Sequence, residues 1–450
     1  MRKTEQLATF TADIAFEDIP EDAVDELKKR VLDSIGIAVG AMDAETPNAI
    51  GTTVTEFDRS GPCRLWGIEN HVAPEQAAMY NTSLTRYLDF MDSFLAPGET
   101  PHPSDNIGAC VAAAESEEAT GQELLEAIGV AYEIQGELAW NAPVRDRGWD
   151  HVTHTVITAA CGAGKALGLT HEQLQDAIGI AGTAHNALRV TRTGGINEWK
   201  GVASANAARN GVYACLLARN GMEGPRDLFE GQKGWQQVIA DDFEMECSTE
   251  IDRVHDVMTK RYVAETYAQS AVEGIIELAE THDLTGDEVA RIHLDTFHGA
   301  KLIIGGGEGN RHEVETKAQA DHSLPYMLAA ALLDRELTNE AYDPERIQSD
   351  DVQRLLRRVE VTEDETLTER FEGGEMPAAI DVELENGTVH HVEKDAFNGH
   401  PNSSMSWAQV EEKFVTMTAD RYDEGHREEI VDVVRNLENH DVTTLTALIE

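Results

Sequence analysis

Arg86-Tyr-Leu-Asp89-Phe-Met-Asp92-Ser93-Phe-Leu-Ala-Pro97-Gly98-Glu99-Thr100-Pro101-His102-Pro103-Ser104-Asp105 runs through Asn106 into Ile107-Gly108-Ala109-Cys110-Val111-Ala112-Ala113-Ala114-Glu115. An apolar segment ends here, a Pro/Gly-rich loop carries one histidine, and a run of small residues follows. Side chains at the contact set how near two helices come, so a helix of Ala, Gly and Cys packs closely against its neighbours. Ser104 or Asp105 is a natural N-cap for that helix. Its first-turn N–H groups offer an anion site, which Gly108 and Ala109 leave open to approach. Asp89 and Asp92, three apart, would share one helix face. Two carboxylates, a hydroxyl, an imidazole and a helix N-terminus are thus expected to converge. The plainer alternative is that Asp89 and Asp92 are solvated surface acids and His102 an ordinary loop histidine.

The same composition extends on both sides. After Pro20, the residues Val24, Leu27, Val31, Leu32 and Ile35 recur at helical spacing across 21–42. Residues 72–93 read as a helix leading into the central loop. Thr120-Gly-Gln-Glu123 and Thr170-His-Glu-Gln173 are capping boxes. Ala/Gly-rich helices are expected at 152–168 and 202–220, the second ending at Gly221. To about residue 258 the chain reads as one large all-helical domain. The pattern then changes. A helix at 262–280 precedes strand-like Val289–Phe297 and Val359–Thr362, and Ile380–Val392 alternates around Asn386-Gly387, predicting a hairpin with a type I′ turn. From Ser406-Trp-Ala-Gln409, a third capping box, the chain is helical again. The expected class is mainly α, with a smaller α+β unit at 259–396 inserted between helical parts 1–258 and 397–450.

Acids number 83 against 36 Lys plus Arg, a net charge of −47, and eleven of those bases are Lys. So large a negative charge argues against nucleic-acid or acidic-membrane partners. The acids are spread along the whole chain, as on a halophilic surface. No apolar run approaches the ~20 residues of a membrane span, and Met1-Arg-Lys-Thr-Glu-Gln lacks a signal-peptide core. A cytoplasmic protein is expected. Cys63, Cys110, Cys161, Cys215 and Cys247 are too scattered for a disulfide framework, a zinc ribbon or an iron–sulfur cluster.

Three further stretches carry chemistry. Arg145-Asp-Arg147-Gly148-Trp149-Asp150-His151-Val-Thr-His154 places two histidines three apart, without the H-E-x-x-H spacing or a clear third ligand of a zinc site. Leu188-Arg189-Val-Thr-Arg192-Thr-Gly194-Gly195-Ile-Asn-Glu-Trp199-Lys200 through Arg209 holds four bases and one acid. Its cations could neutralise carboxylates while Gly194-Gly195 lets the backbone approach; a structural loop paired with surface acids is the alternative. Gly305-Gly-Gly307-Glu-Gly309 lacks the GxxxxGK[ST] of a phosphate loop and reads as a flexible loop.

Asp89-Phe-x-Asp92 with His102-Pro-Ser-Asp105, Gly148-Trp-Asp-His151 with Ala163-Gly164-Lys165, the 188–212 stretch, Gly224-Pro225…Phe229-Glu230-Gly231, Lys260-Arg261-Tyr262 and Asp321-His322-Ser323-Leu-Pro-Tyr326 together resemble the MmgE/PrpD family. Val263 stands where that family's Lys-x-Tyr-Pro segment has proline. The resemblance runs from about residue 5 to about 420. It implies a helical domain with an inserted lid, an active site between them, and a homodimer. It also implies a carbon–oxygen lyase acting on a small tricarboxylate without metal or cofactor, with dehydration of 2-methylcitrate in propionate catabolism as the expected reaction. Residue by residue it carries over His102, Lys200, Lys260, Asp89 and His151 as catalytic candidates, and Ser93, Arg192, His154 and Tyr262 as substrate contacts, with His154 a rival to His151. Decarboxylation of cis-aconitate, dehydration of citrate and epimerisation of a related diacid are the alternatives on the same scaffold. A non-catalytic helical binding protein and a His/Asp metallohydrolase are the rivals of other classes.

Overall fold

Small residues set the architecture of the first half. The computed structural model describes residues 1–57, 60–193, 197–307 and 309–450. The chain forms two compact units, Met1–Val257 with Ser406–Glu450, and Met258–Met405. The first unit contains α1 (Lys3–Asp13), α2 (Glu21–Gly40), α3 (Glu45–Phe57), α4 (Pro74–Tyr87), α5 (Ile107–Ser116), α6 (Gly121–Asn141), α7 (Val152–Ala166), α8 (His171–Ala184) and α9 (Ala203–Arg219). In α5 every residue from Ile107 to Glu115 is buried, and in α7 every residue from Val152 to Gly164. The helices are close enough that a methyl on Gly108 would sit 2.3 Å from Thr82 Oγ1 of α4, and one on Gly211 of α9 2.8 Å from Ala160 N of α7. Cys110, Cys161 and Cys215 fill this interior as buried thiols, and burial pushes their ionisation upward.

The α2 stripe Val24, Leu27, Val31, Leu32 and Ile35 is buried, as its spacing predicts. The C-terminal helices Trp407–Thr418, Glu424–Arg435 and Val442–Ala447 belong to this unit. Lys413 Nζ lies 2.7 Å from Asp33 Oδ1 of α2, both side chains buried, and Trp407 Nε1 donates to Asp25 at 2.6 Å.

Three local expectations are corrected. The predicted helix at 72–93 spans only Pro74–Tyr87, and an antiparallel hairpin, Cys63–Leu65 with Ile68–Val72, precedes it, so this unit is not purely helical. Asp89 adopts φ +54°, which ends the helix and removes the shared face expected for Asp89 and Asp92. Ser104 and Asp105 do not cap α5. They sit inside a 3-10 turn, Pro103–Asn106, and their side chains bond elsewhere.

In the second unit a four-stranded sheet has the order Val359–Glu363, Val289–Thr296, Ala378–Leu384, Val389–Lys394. The first pair is parallel and the others antiparallel. The hairpin forms where alternation predicts it, but its turn differs. Gly387 N–H returns to Leu384 O, Leu384 N–H reaches Thr388 O at 2.8 Å, and only the glycine has positive φ (+83°). This is a three-residue loop with a left-handed glycine at its third position, not a type I′ turn. The helix expected at 262–280 begins as the 3-10 turn Thr266–Ala268 and continues as Gln269–Thr281.

Candidate active site

Asp92 organises the loop between α4 and α5. Its buried carboxylate accepts from Ser104 N–H (3.1 Å), Ser104 O–H (2.6 Å) and, from α6, Tyr132 O–H (2.8 Å). The anion that the sequence places at this turn is therefore the chain's own Asp92. Burial raises its ionisation, while Ser104, Arg30 and Tyr132 work against that rise. The arrangement ties residue 104 to residue 92 and presents His102 between them.

His102 is buried, with Nδ1 2.6 Å from the Asp92 carbonyl and 3.2 Å from Ser93 Oγ. A carbonyl only accepts, so Nδ1 carries the proton, and in the neutral ring Nε2 keeps its lone pair. The His151 ring stands edge-on to His102, centroids 5.5 Å apart. It begins α7 and is buried, with Nε2 3.5 Å from Arg192 Nη2 and Nδ1 3.5 Å from Asp150 Oδ1. Burial first, then the nearby cations Arg192, Arg86 and Arg145, drive its pKa well below the usual histidine value. His151 is neutral at neutral pH.

The cations are held by carboxylates. Arg192 Nε donates to Asp150 Oδ2 at 2.6 Å, and Asp150 Oδ1 accepts at 3.2 Å from the N–H of Val152, the first residue of α7. Lys200, on the 3-10 turn Glu198–Gly201, lies 3.6 Å from Asp89 Oδ2. Asp89 Oδ1 in turn accepts from Arg86 Nη1 at 3.1 Å. Arg86 is fully buried at the end of α4, and its Nε faces Asp105 Oδ1 at 3.9 Å. Asp105 Oδ2 accepts from Ser204 O–H of α9 at 2.5 Å. Burial pushes the Asp105 carboxyl up to about 7, against the pull of Arg86 and Ser204.

The structure thus brings His102, Ser93, His151 and Arg192 together, with Asp89 and Lys200 linked to them through Arg86. His154 is placed differently: its Nε2 lies 2.9 Å from Ala142 O and its ring packs on Trp235. Lys260 and Tyr262 belong to the second unit, where Gln269 grips their loop by accepting from Arg261 and Tyr262 N–H and donating to Tyr262 and Ala264 O. Burial raises the Tyr262 phenol to about 12. Gly194-Gly195 lies outside the described residues. Among the described residues no three His, Cys, Asp or Glu cluster as a metal site would require, and no helix is long and apolar enough to cross a membrane.

Sequence reading assigned no role to Arg86 and only a capping role to Asp105, and it left Asp150 unremarked. One signal was available for Arg86: it is the only basic residue of α4 and has Asp89 three positions on, and a buried guanidinium needs a carboxylate partner.

Chemically, two imidazoles, one of them neutral by burial, stand among three cations. Groups of this kind suit proton abstraction from carbon beside a carboxylate, an imidazole serving as base and cations stabilising the charge that develops.

Comparison with known proteins gives the same direction. Residues 5–248 match the MmgE/PrpD N-terminal domain and residues 262–439 the MmgE/PrpD C-terminal domain. The chain is 28% identical to the mitochondrial 2-methylcitrate dehydratase of Yarrowia lipolytica over 428 residues, covering 89% of this chain and 81% of that protein. It is 28% identical to the 2-methylcitrate dehydratase of Escherichia coli K12 over 382 residues, covering 80% and 78%. It is also 23% identical to the cis-aconitate decarboxylase of Mus musculus over 474 residues, covering 99% and 93%.

Proposed function

Because the chain belongs to the MmgE/PrpD family, we propose that it is a hydro-lyase that dehydrates 2-methylcitrate to 2-methyl-cis-aconitate in propionate catabolism, without metal or cofactor. The observation that carries this reading is the meeting of His102 and His151, ring centroids 5.5 Å apart, beside Arg192. The relatives named 2-methylcitrate dehydratase supply the substrate.

The reaction removes a proton from carbon next to a carboxylate and expels hydroxide from the neighbouring carbon. His102 takes the proton, because its Nδ1–H is committed to the Asp92 carbonyl and Nε2 is left basic. Fixing the tautomer through a backbone acceptor orients the ring at no cost during turnover. Arg192 and Lys200 face the carboxylates and stabilise the enediolate charge. Ser93 hydrogen-bonds the substrate. The leaving hydroxide takes its proton from a second group, with His151 and Asp89 as the candidates: the neutral His151 has its one ring N–H to give, whereas Asp89, a carboxylate paired with Arg86 and Lys200, gives a proton only after taking one up. Lys260 and Tyr262 stand in the second unit, and their part rests on the Lys260-Arg261-Tyr262 motif; Lys260→Ala tests it. A homodimer is proposed on the family resemblance, and sedimentation equilibrium measures it.

The test mixes purified protein, in molar KCl with chelator, with 2-methylcitrate and separately with citrate, and follows ultraviolet absorbance of the new conjugated double bond. A faster rise with 2-methylcitrate is expected. A folded sample giving no rise with either overturns the dehydratase reading. The second reading, decarboxylation of cis-aconitate, is favoured by the relative that spans 99% of the chain; release of carbon dioxide from cis-aconitate decides for it.

A further inference from the structure

Behind the site, two buried polar atoms face each other without a hydrogen bond. Arg86 Nε and Asp105 Oδ1 each lack a hydrogen-bond partner among the described residues, and they lie 3.9 Å apart. Both side chains are buried, at 2% and 0% exposure. That distance is beyond hydrogen-bond range, so the pair holds charge without locking it. A carboxyl with one committed oxygen and one open oxygen can accept a proton at the open one with no rearrangement.

The pair is the inner end of a chain of alternating charges. Asp105 faces Arg86, Arg86 donates to Asp89, and Asp89 pairs with Lys200 at 3.6 Å. With every member charged the chain sums to zero. A proton on Asp105 leaves it at +1, turns Arg86 wholly toward Asp89, and loosens the hold of Asp89 on Lys200. The charged groups around Asp105 come from several elements. Arg86 comes from the end of α4, Asp92 from the loop after it, and Arg192 from the turn after α8. Arg30 of α2 and Tyr132 of α6 act on Asp92, and Asp150 acts on Arg86. The cations among these hold Asp105 toward its charged form until an anion arrives to offset them.

We infer that Asp105 takes up one proton from solvent when the polycarboxylate substrate binds, and returns it when product leaves, so that Asp105 acts through Arg86 and Asp89 as a positioning residue that readies Lys200. The inference rests on the proposed polycarboxylate chemistry of this site. Its ionisation, already pushed up to about 7, makes the uptake visible near neutral pH. Below that value Asp105 is already protonated and no uptake is needed. Above it, each unit of pH weakens binding by up to about tenfold, the limit for one linked proton.

The experiment is calorimetric titration of the whole protein with 2-methylcitrate at pH 8, in two buffers of different ionisation enthalpy, together with KM and kcat from pH 6 to 9. Wild type is expected to take up close to one proton, with KM rising above pH 7 while kcat changes little. Asp105→Asn, the neutral isostere, is expected to show no uptake and a flat KM. Should that variant fail to fold, Ser204→Ala serves: it removes the bond that favours the charged form, and the break in KM moves to higher pH. Binding by wild type without uptake, or an unchanged KM slope in Asp105→Asn, overturns the inference and leaves the proposed function standing. Failure of the protein to bind 2-methylcitrate, citrate or cis-aconitate at any pH overturns both.

Discussion

His102 and Lys200 carry the strongest expectations at the level of single residues. General acid–base catalysis contributes about 10²–10⁴-fold in rate, so His102→Ala is expected to lose activity by that order while its thermal unfolding stays cooperative. Lys200→Ala removes a cation at the developing charge, worth about 10²–10³ in kcat. Turnover within a few-fold of wild type in either variant would discredit the assignment. His151 gives a pH signature. Its folded pKa lies well below that of the unfolded chain, first through burial. The stability this contributes is complete above the unfolded value of about 6.5 and is lost as pH falls from there toward the folded pKa, because only the unfolded chain gains the proton. Compared with wild type, His151→Asn is therefore expected to fare relatively better at pH 5 than at pH 7.5; thermal midpoints across that range measure the gap. His102, His151, Ser93, Arg192 and Lys200 could be picked out in the sequence because they sit in short motifs, whereas His154, equally prominent in its motif, lies apart against Ala142 and Trp235. Asp105 and Asp150 were not legible, because their meaning lies in partners distant along the chain: Asp105 meets Ser204 across 99 positions and Arg192 meets Asp150 across 42. Local spacing carries no information about such pairs. Arg86 was missed for another reason: its partner Asp89 is only three positions on, but helical spacing does not show that the guanidinium is buried.

Helices were legible where a local chemical device fixed them. The capping boxes at Thr120 and Thr170 form with the reciprocal bonds their spacing predicts, and Ser406 N–H reaches Gln409 at 2.9 Å. The strands at 289 and 378 follow apolar alternation, which burial on one face enforces. The misreadings share one cause, a competing backbone choice invisible to periodicity. At Asp89 a left-handed residue ends α4 early, and at Gly387 the glycine alone turns left-handed, lengthening the loop by a residue. The small-residue character of α5 leads to a sharp expectation. A methyl at Gly108 would lie 2.3 Å from Thr82 Oγ1 and 2.8 Å from Thr82 N, and the second of these is rigid backbone. Gly108→Ala must push α5 from α4, so in spite of its better helix propensity it is expected to destabilise by about 1–3 kcal/mol. Since α4 and α5 flank the His102 loop, KM should suffer as well. Denaturant unfolding beside steady-state kinetics tests both; a variant as stable as wild type would show that the helix pair yields without cost.

For the molecule as a whole the governing quantity is charge. Acids exceed Lys plus Arg by 47, so even if every base neutralised one acid, 47 negative charges would remain. Several arginines are already surrounded: Arg370 contacts Glu375, Glu393 and Asp395, and Arg346 contacts Asp334 and Asp351. The surplus acids can only repel one another, and folding concentrates them. Repulsion reaches over about 30 Å at 0.01 M salt and only about 3 Å at 1 M. The unfolded chain spreads the same charges further apart, so screening favours the folded form. The thermal midpoint is therefore expected to rise steeply as KCl increases from dilute to molar. Buried pairs such as Lys413 with Asp33 are shielded from salt and contribute little to that rise. Lysine substitutions at exposed acids should lift the midpoint at low salt and bring a smaller gain at molar salt, which distinguishes charge repulsion from a general effect of salt on apolar burial. A midpoint unchanged between 0.01 M and 1 M KCl would mean that the acidic surface is not set by self-repulsion at all.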